Sequence, residues 1–174
     1  MDYFVLRQDE RYTNIPMIEQ LRTQIETRNI HLTDAHKIPD TSIFYVKADQ
    51  DTSYLDLLDR QLVLISRSMK QLIDLYQPEY LTKVVVFMDK VMQKQSEYYL
   101  PIFKEISCLS PNTQFHNDHT TIRKLVLQES QIQNHPIFQI KESEKPLIVI
   151  RLDVAESILR RGFTGILLDR VPIE

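Results

Sequence analysis

The sequence predicts an α+β fold in which two strand–strand–helix–strand units pack as one domain spanning residues 1–174, with a mixed or antiparallel sheet. Three observations lead there. Short β-branched and aromatic runs recur between turn residues, helical spacing of apolar residues is confined to a few stretches, and one series of elements recurs.

The elements follow in chain order. Residues 3–6 (Tyr3-Phe4-Val5-Leu6) read as a first strand. Asn14-Ile15-Pro16 opens an expected helix, because proline suits the first turn and Ile18, Leu21 and Ile25 follow at +3 and +4 spacing. Ile43-Phe44-Tyr45-Val46 is a strand, and 54–58 is expected to form a helical turn. Leu62-Val63-Leu64-Ile65 is a strand apolar on both faces. Ser68 and Gln71 have the spacing of a capping box for a helix that turns Met69, Leu72, Ile73 and Tyr76 inward, and Pro78 ends it. Val84-Val85-Val86-Phe87 is an interior strand. In 98–106, Pro101 cannot donate to a ladder, which places the segment at a sheet edge or bulge. A polar loop covers 109–118. Strands Leu125-Val126-Leu127 and Ile137-Phe138-Gln139-Ile140 flank a turn at Asn134-His135-Pro136. The strand Leu147-Ile148-Val149-Ile150, a helix over 154–161 and a strand over 166–168 complete the chain. Arg160-Arg161-Gly162 supplies cations for the negative helix end and a left-handed cap.

The repeat rests on residue strings. Ile43-Phe44-Tyr45-Val46-Lys47 recurs as Ile137-Phe138-Gln139-Ile140-Lys141, and Leu62-Val63-Leu64-Ile65 as Leu147-Ile148-Val149-Ile150. Three residues past each second strand stands Ser68 or Asp153, with Gln71 or Glu156 completing the box. The pseudo-repeats cover 31–88 and 125–170, joined by an edge strand and loop at 98–120. An isolated unit of this size buries too little apolar surface to offset its conformational entropy, so the two are expected to share a core.

Composition narrows the function. Lys+Arg total 21 against 24 Asp+Glu, for a net charge of -3, and no block of like charge occurs, which argues against nucleic acid as the main partner. With only two glycines, Gly162 and Gly165, a glycine-rich phosphate loop is excluded, and no cofactor is expected. The opening run through Arg7 lacks the charged and apolar regions of a signal peptide, and no apolar run approaches a membrane span; cytoplasmic residence is the expectation. Cys108 is the only cysteine, so no internal disulfide forms.

Candidate chemistry is sparse. His116 and His119 have His-x-x-His spacing in a polar loop, and His31, Asp34 and His36 form a second loose cluster, but zinc requires three or four converging ligands on a rigid scaffold. Cys108 with a histidine is the one hydrolase constellation, weighed against a small buried hydrophobe. The carboxylates Asp9-Glu10 and Glu142 with Glu144 sit in polar connections. Tyr98-Tyr99 in a strand are expected to face opposite ways, one into the core and one outward. No acid, base and nucleophile cluster together, and the expectation is a non-catalytic binding protein; a structural or regulatory self-associating protein is the alternative.

Four stretches resemble the myxobacterial-type immunity domain, a family of bacterial immunity proteins from polymorphic toxin systems. Tyr98-Tyr99-Leu100-Pro101-Ile102 with Ile106-Ser107-Cys108-Leu109-Ser110 is similar to that family's double-tyrosine strand and the short segment after it. The segment 122–129 is similar to its central strand, and Ile137-Phe138-Gln139-Ile140 to the next. The run from Ile148 to Arg161-Gly162-Phe163-Thr164-Gly165 is similar to its last strand, helix and turn. The likeness covers about 62–174, with Tyr3-Phe4-Val5-Leu6 as its start. Two features depart from it: Gln77-Pro78-Glu79 replaces a glycine turn, and the family's Phe-x-Pro ending is reduced to Leu168-Asp169-Arg170-Val171-Pro172. The resemblance implies that the protein binds and neutralises a cognate toxin domain in the cytoplasm of the producing cell, without catalysis. It transfers no contact residue.

Overall fold

A computed structural model describes residues 1–174. The elements in chain order are β1 (Tyr3–Gln8), β2 (Met17–Ile18), three 3-10 turns (Leu21–Thr23, Thr27–Asn29, Ala35–Lys37), β3 (Thr41–Lys47), β4 (Leu57–Leu58), β5 (Leu64–Ile65), α1 (Arg67–Tyr76), β6 (Leu81–Asp89), β7 (Lys94–Ile102), β8 (Glu105–Ile106), β9 (Gln114–Phe115), β10 (Ile122–Lys124), α2 (Glu129–Ile132), β11 (Ile137–Ile140), β12 (Ile148–Arg151), α3 (Leu152–Arg160) and β13 (Ile166–Val171). The fold is α+β, as its pattern of apolar strands and few helical stretches predicts.

Two sheets carry the architecture. One has six strands in the order β2-β3-β6-β7-β5-β4; the other has five, β13-β1-β12-β11-β8; β9 and β10 form a separate hairpin. Both sheets are mixed: β3 runs parallel to β6 and β11 parallel to β8, while their other pairings are antiparallel.

Alternation sets the layers. β3 has the burial pattern eBeBeBe, so Phe44 and Val46 enter a core with Val85, Phe87, Tyr98 and Leu100, closed by Ile15, Ile18, Ile25 and Ile38 from the segment before β3. In the five-stranded sheet, Tyr3, Val5, Phe138, Ile140 and Val149 point the other way from the helices, into a core covered by Ile106, Cys108, Leu127 and Ile132. Between these lies a shared core, in which Met69, Leu72 and Ile73 of α1 and Val154, Ala155 and Ile158 of α3 pack on Ile65 of one sheet and Leu6, Ile148 and Ile150 of the other. Each helix thus buries one stripe at i, i+3 or i+4 spacing, and Tyr76 hydrogen-bonds Ser157 between them.

The repeat is only partly reproduced. β5–α1–β6 and β12–α3–β13 each join two parallel strands with a third strand, β7 or β1, inserted between them. The first strands diverge. β3 lies beside β6, whereas β11 lies beside β12, so the four-element duplication is not reproduced. Their environments differ too: β11 is buried at every position while β3 alternates. Similar apolar strings therefore serve different places.

Other expectations are corrected. No helix follows Pro16; Met17–Ile18 is a strand, and Gln20 at φ 53 breaks the path before the first 3-10 turn. Ile18 and Ile25 are buried all the same. The expected helical turn at 54–58 is not formed; the segment ends in β4. Leu125-Val126-Leu127 is not a strand: Leu127 alone forms isolated bridges, to Leu109 and Ile173, and α2 occupies the approach to the Asn134 turn. The polar loop after Leu109 contains the β9–β10 hairpin.

Pro101 lies in β7, between β6 and β5 and without a bulge, whereas Glu105–Ile106 of the same segment is β8, an edge strand of the other sheet. The Val84 N–H donates toward β3, to Asp40, so alternate residues of β6 face β7 and the Thr82–Pro101 pair is a non-bonded one. The ring nitrogen of Pro101 points away from β6, past the single position where β5 meets β7 at Tyr99. No ladder bond is lost there.

Both glycines have positive φ. Gly162, at 64°, closes α3 as expected, while Gly165, at 78°, also lies so close to Leu55 that an added Cβ would meet the Leu55 Cβ at 2.8 Å.

Candidate partner-binding face

Cα partners on neighbouring strands project to the same side, which fixes the composition of each sheet face. On the helix-covered side of the six-stranded sheet, Thr41, Val84, Tyr99 and Ile65 form one row, Ile43, Val86 and Glu97 the next, and Tyr45, Met88 and Gln95 a third. Helix α1 lies over the Ile65 and Tyr99 end. The β3 end is open: Ile43 is 56% exposed and Tyr45 50%, with Val84 and Met88 half-buried beside them. At the end of β6, Val91 and Met92 of the β6–β7 turn are exposed as well. The turn is rigid. The carboxylate of Asp89, itself buried, accepts the N–H groups of Val91 and Met92 at 3.0 and 3.1 Å and the Tyr54 hydroxyl at 3.4 Å. Burial, and then the neighbouring Asp89 charge, push Tyr54 up to about 12.

The charges around this face are unevenly spent. Glu97 is engaged by Arg67 at 2.6 Å and by the Tyr99 hydroxyl, and Asp74 by Lys70 at 2.8 Å and by Tyr80 at 2.8 Å. These contacts hold both carboxyls below their ordinary range: hydrogen bonds from Tyr99 and Arg67 at Glu97, and those from Lys70 and Tyr80 overcoming burial at Asp74. Lys47 and Lys90 form no salt bridge. The Lys90 ammonium lies 3.8 Å from the centre of the Tyr45 ring, a cation–π contact. The result is an aliphatic and aromatic patch on paired strands, flanked by two cations without a carboxylate partner in a chain of net charge -3.

The sequence-derived candidates lie elsewhere. Cys108 is 1% exposed in the core behind the five-stranded sheet, and burial, with a smaller contribution from Glu142, raises its thiol to about 12. A thiol so placed is a packing group and a poor nucleophile. His116 and His119 lie at the tip of the β9–β10 hairpin, where the Asp118 carboxylate accepts the Thr120 and Thr121 N–H groups at 2.9 Å and the Thr121 hydroxyl at 2.6 Å. Those bonds hold the Asp118 carboxyl far below its usual range. In the cluster of His31, Asp34 and His36 each side chain has a different engagement: His31 contacts Glu105, Asp34 pairs with Lys37 at 2.9 Å, and His36 is exposed. No group of three or more His, Cys, Asp or Glu side chains is placed to share a metal ion.

Asp9 is buried and pairs with Arg11 at 2.6 Å, while Glu142 accepts the Ser107 hydroxyl. Arg160 pairs with Glu156 at 3.6 Å, and Arg161 donates to the Ser157 carbonyl at 3.1 Å, so both serve the end of α3. Tyr98 and Tyr99 face opposite ways as expected, Tyr98 buried and donating to the Leu55 carbonyl at 2.8 Å, but Tyr99 is not turned outward: it is half-buried against the core under α1. The open face itself is not among those candidates. Its signal was the strand alternation, which marks Ile43 and Tyr45 as facing away from Phe44 but does not say that α1 stops short of them.

The fold and this face define an α+β protein with a half-exposed apolar sheet surface. No protein-family model matches the chain, and no curated protein matches it. No helix is long and apolar enough to cross a membrane.

Proposed function

We propose that this chain is a non-catalytic binding protein of the immunity type, which neutralises a cognate bacterial toxin domain in the cytoplasm by direct binding through the open part of the six-stranded sheet. The observation that carries this reading is the exposure of Ile43 and Tyr45 side by side with Val84 and Met88 on ordered strands. Single exposed apolar residues are ordinary on protein surfaces, but a cluster on adjacent strands is the composition of an interface centre. Lys47 and Lys90 at its border favour a partner whose matching surface combines apolar residues with unpaired carboxylates. The resemblance of the stretches between Tyr98 and Gly165 to the immunity family supports the same reading.

The experiment is an affinity capture of the tagged protein from its own cells, followed by binding measurements with toxins encoded next to it. Wild type should retain one such toxin stoichiometrically. Tyr45→Ala should weaken that complex by about 2 kcal/mol or more, the scale of an interface hot spot. Ile43→Asp should abolish capture, and the paired Lys47→Glu, Lys90→Glu variant should slow association, while all three keep the wild-type melting temperature. The reading fails if no neighbouring toxin binds, or if binding ignores all of these substitutions.

A further inference from the structure

The five-stranded sheet has an edge, along β13, that is unpaired from Ile166 to Arg170; beyond it the Pro172 carbonyl accepts the Leu127 N–H at 3.0 Å. In the β1–β13 ladder the Asp9 N–H donates to the Gly165 carbonyl at 2.9 Å, and the register continues from Gln8 opposite Ile166 to Tyr3 opposite Val171. Antiparallel ladders alternate bonded and non-bonded pairs, so Leu167, Asp169 and Val171 bond to β1. The N–H and C=O groups of Ile166, Leu168 and Arg170 therefore point away from it. On the other side of β1 the pattern is consistent, since Leu152 N–H donates to the Asp2 carbonyl at 2.9 Å. β13 is the last strand of its sheet, and no backbone or side-chain group of the chain bonds the outward groups of Ile166, Leu168 and Arg170.

The other edges are closed or short. β3 is covered by β2 at Val46 and Lys47, and the Gln24 side chain bonds both the N–H and the carbonyl of Ile43. β4 and β8 are two residues each, and Glu105 of β8 is held by His31. Free charges usually guard an open edge. Here both charges of β13 are already neutralised within the chain, Asp169 by Arg7 at 3.0 Å and Arg170 by Asp2 at 2.8 Å. The remaining edge residues are Ile166, Leu167 and Leu168, with Leu167 exposed and the other two half-buried.

We propose that two copies of this chain pair through β13, antiparallel about Leu168, joining their five-stranded sheets into one continuous sheet. A two-fold axis pairs residue i with j and j with i, so the register is defined by the residue at its centre. Centring on Asp169 sets two carboxylates opposite each other, and centring on Arg170 sets two guanidiniums so; both are unfavourable cross-strand pairs. Centring on Leu168 opposes Leu168 to its own copy, Ile166 to the aliphatic stem of Arg170, and Leu167 to Asp169. It also uses the outward groups of Ile166, Leu168 and Arg170 on both strands. A seam of this length buries less than a standard interface, so the dimer is concentration-dependent. It leaves the open face of the six-stranded sheet free, and stands apart from the toxin-binding reading.

The test uses the full chain, first alone and then with the captured toxin added. Molar mass by light scattering and amide hydrogen exchange by NMR are followed over a concentration series reaching the millimolar range. Mass should rise from monomer to dimer. The Leu168 and Arg170 amides should exchange at least tenfold more slowly at the high end, while Leu167 and Asp169, bonded to β1, stay protected throughout. Leu168→Pro removes an outward N–H without touching the β1 ladder and should hold the chain monomeric; Leu167→Lys, which adds a free cation at the edge, should do the same. Unchanged protection of Val5 shows that each variant is folded. A chain that remains monomeric with fast Leu168 and Arg170 exchange at every concentration overturns the proposal. So does a dimer that survives both variants with those amides still fast. Protection appearing only when a toxin is added replaces self-pairing with strand addition by that partner.

Discussion

Side-chain amides take the place of missing strands at several points in this molecule. The Gln61 amide donates to the Ile18 carbonyl at 3.0 Å and accepts the Ile18 N–H at 2.7 Å, as a neighbouring peptide group would. Gln24 treats Ile43 in the same way. Gln8 and Asp59 exchange such bonds between the sheets, the Gln8 N–H reaching Asp59 at 2.8 Å and the Asp59 N–H reaching Gln8 at 3.1 Å. Gln61→Ala leaves two polar groups of the buried Ile18 without partners, and should cost about 2 kcal/mol. Urea unfolding should show a lower midpoint with an unchanged slope. In the sequence these residues look like ordinary polar surface, because a glutamine's hydrogen-bond partner is set by what folds against it.

Element boundaries depend on the same kind of contact. Helix α1 begins at Arg67 and its cap is Ser66, whose Oγ accepts the Met69 N–H at 3.2 Å and donates to Asp56 at 2.6 Å. The Ser68–Gln71 capping box is not formed. The second expected box also fails: α3 has Arg151 at its cap position without a side-chain cap bond, and Asp153 in the first turn pairs with Arg151 at 2.8 Å. Both serines fit a cap by residue type. The choice between them follows from where β5 stops, and the Ser66 N–H, bonded to the Asp56 carbonyl at 2.8 Å, sets that point. Ser66→Ala should therefore lower stability by about 1 kcal/mol, whereas Ser68→Ala, on the exposed face, should leave it within about 0.5 kcal/mol of wild type. Thermal melts of the two variants side by side separate the alternatives.

At the scale of the molecule, packing between layers shifts His135. Burial against the five-stranded sheet, and then the nearby Lys104 ammonium, hold its imidazole below the ordinary 6.5. The unfolded chain takes up a proton near that value while the folded chain resists it. Stability from this group is therefore full above pH 6.5 and declines as pH falls through 6.5 toward the lower folded value. Urea midpoints at about pH 7.5 and about pH 5.5 should differ more in wild type than in His135→Gln. An equal loss in both would assign the acid sensitivity to other groups.

The α+β class, the principal strands, both main helices and the left-handed Gly162 were determined by the sequence itself. Each depends on local terms, namely the period of apolar residues, the conformations open to glycine and proline, and strand propensity. Phe44 against Ile43, and Tyr98 against Tyr99, were separable for the same reason. Tertiary structure alone decided that β3 lies beside β6 while β11 lies beside β12, that Pro101 belongs to a central strand, that α1 covers one end of its sheet only, and that β13 keeps an unpaired edge. Strand order and coverage depend on contacts between residues far apart in the chain. Any apolar strand offers the same backbone groups to every neighbour, and its local sequence does not say which of them will be used.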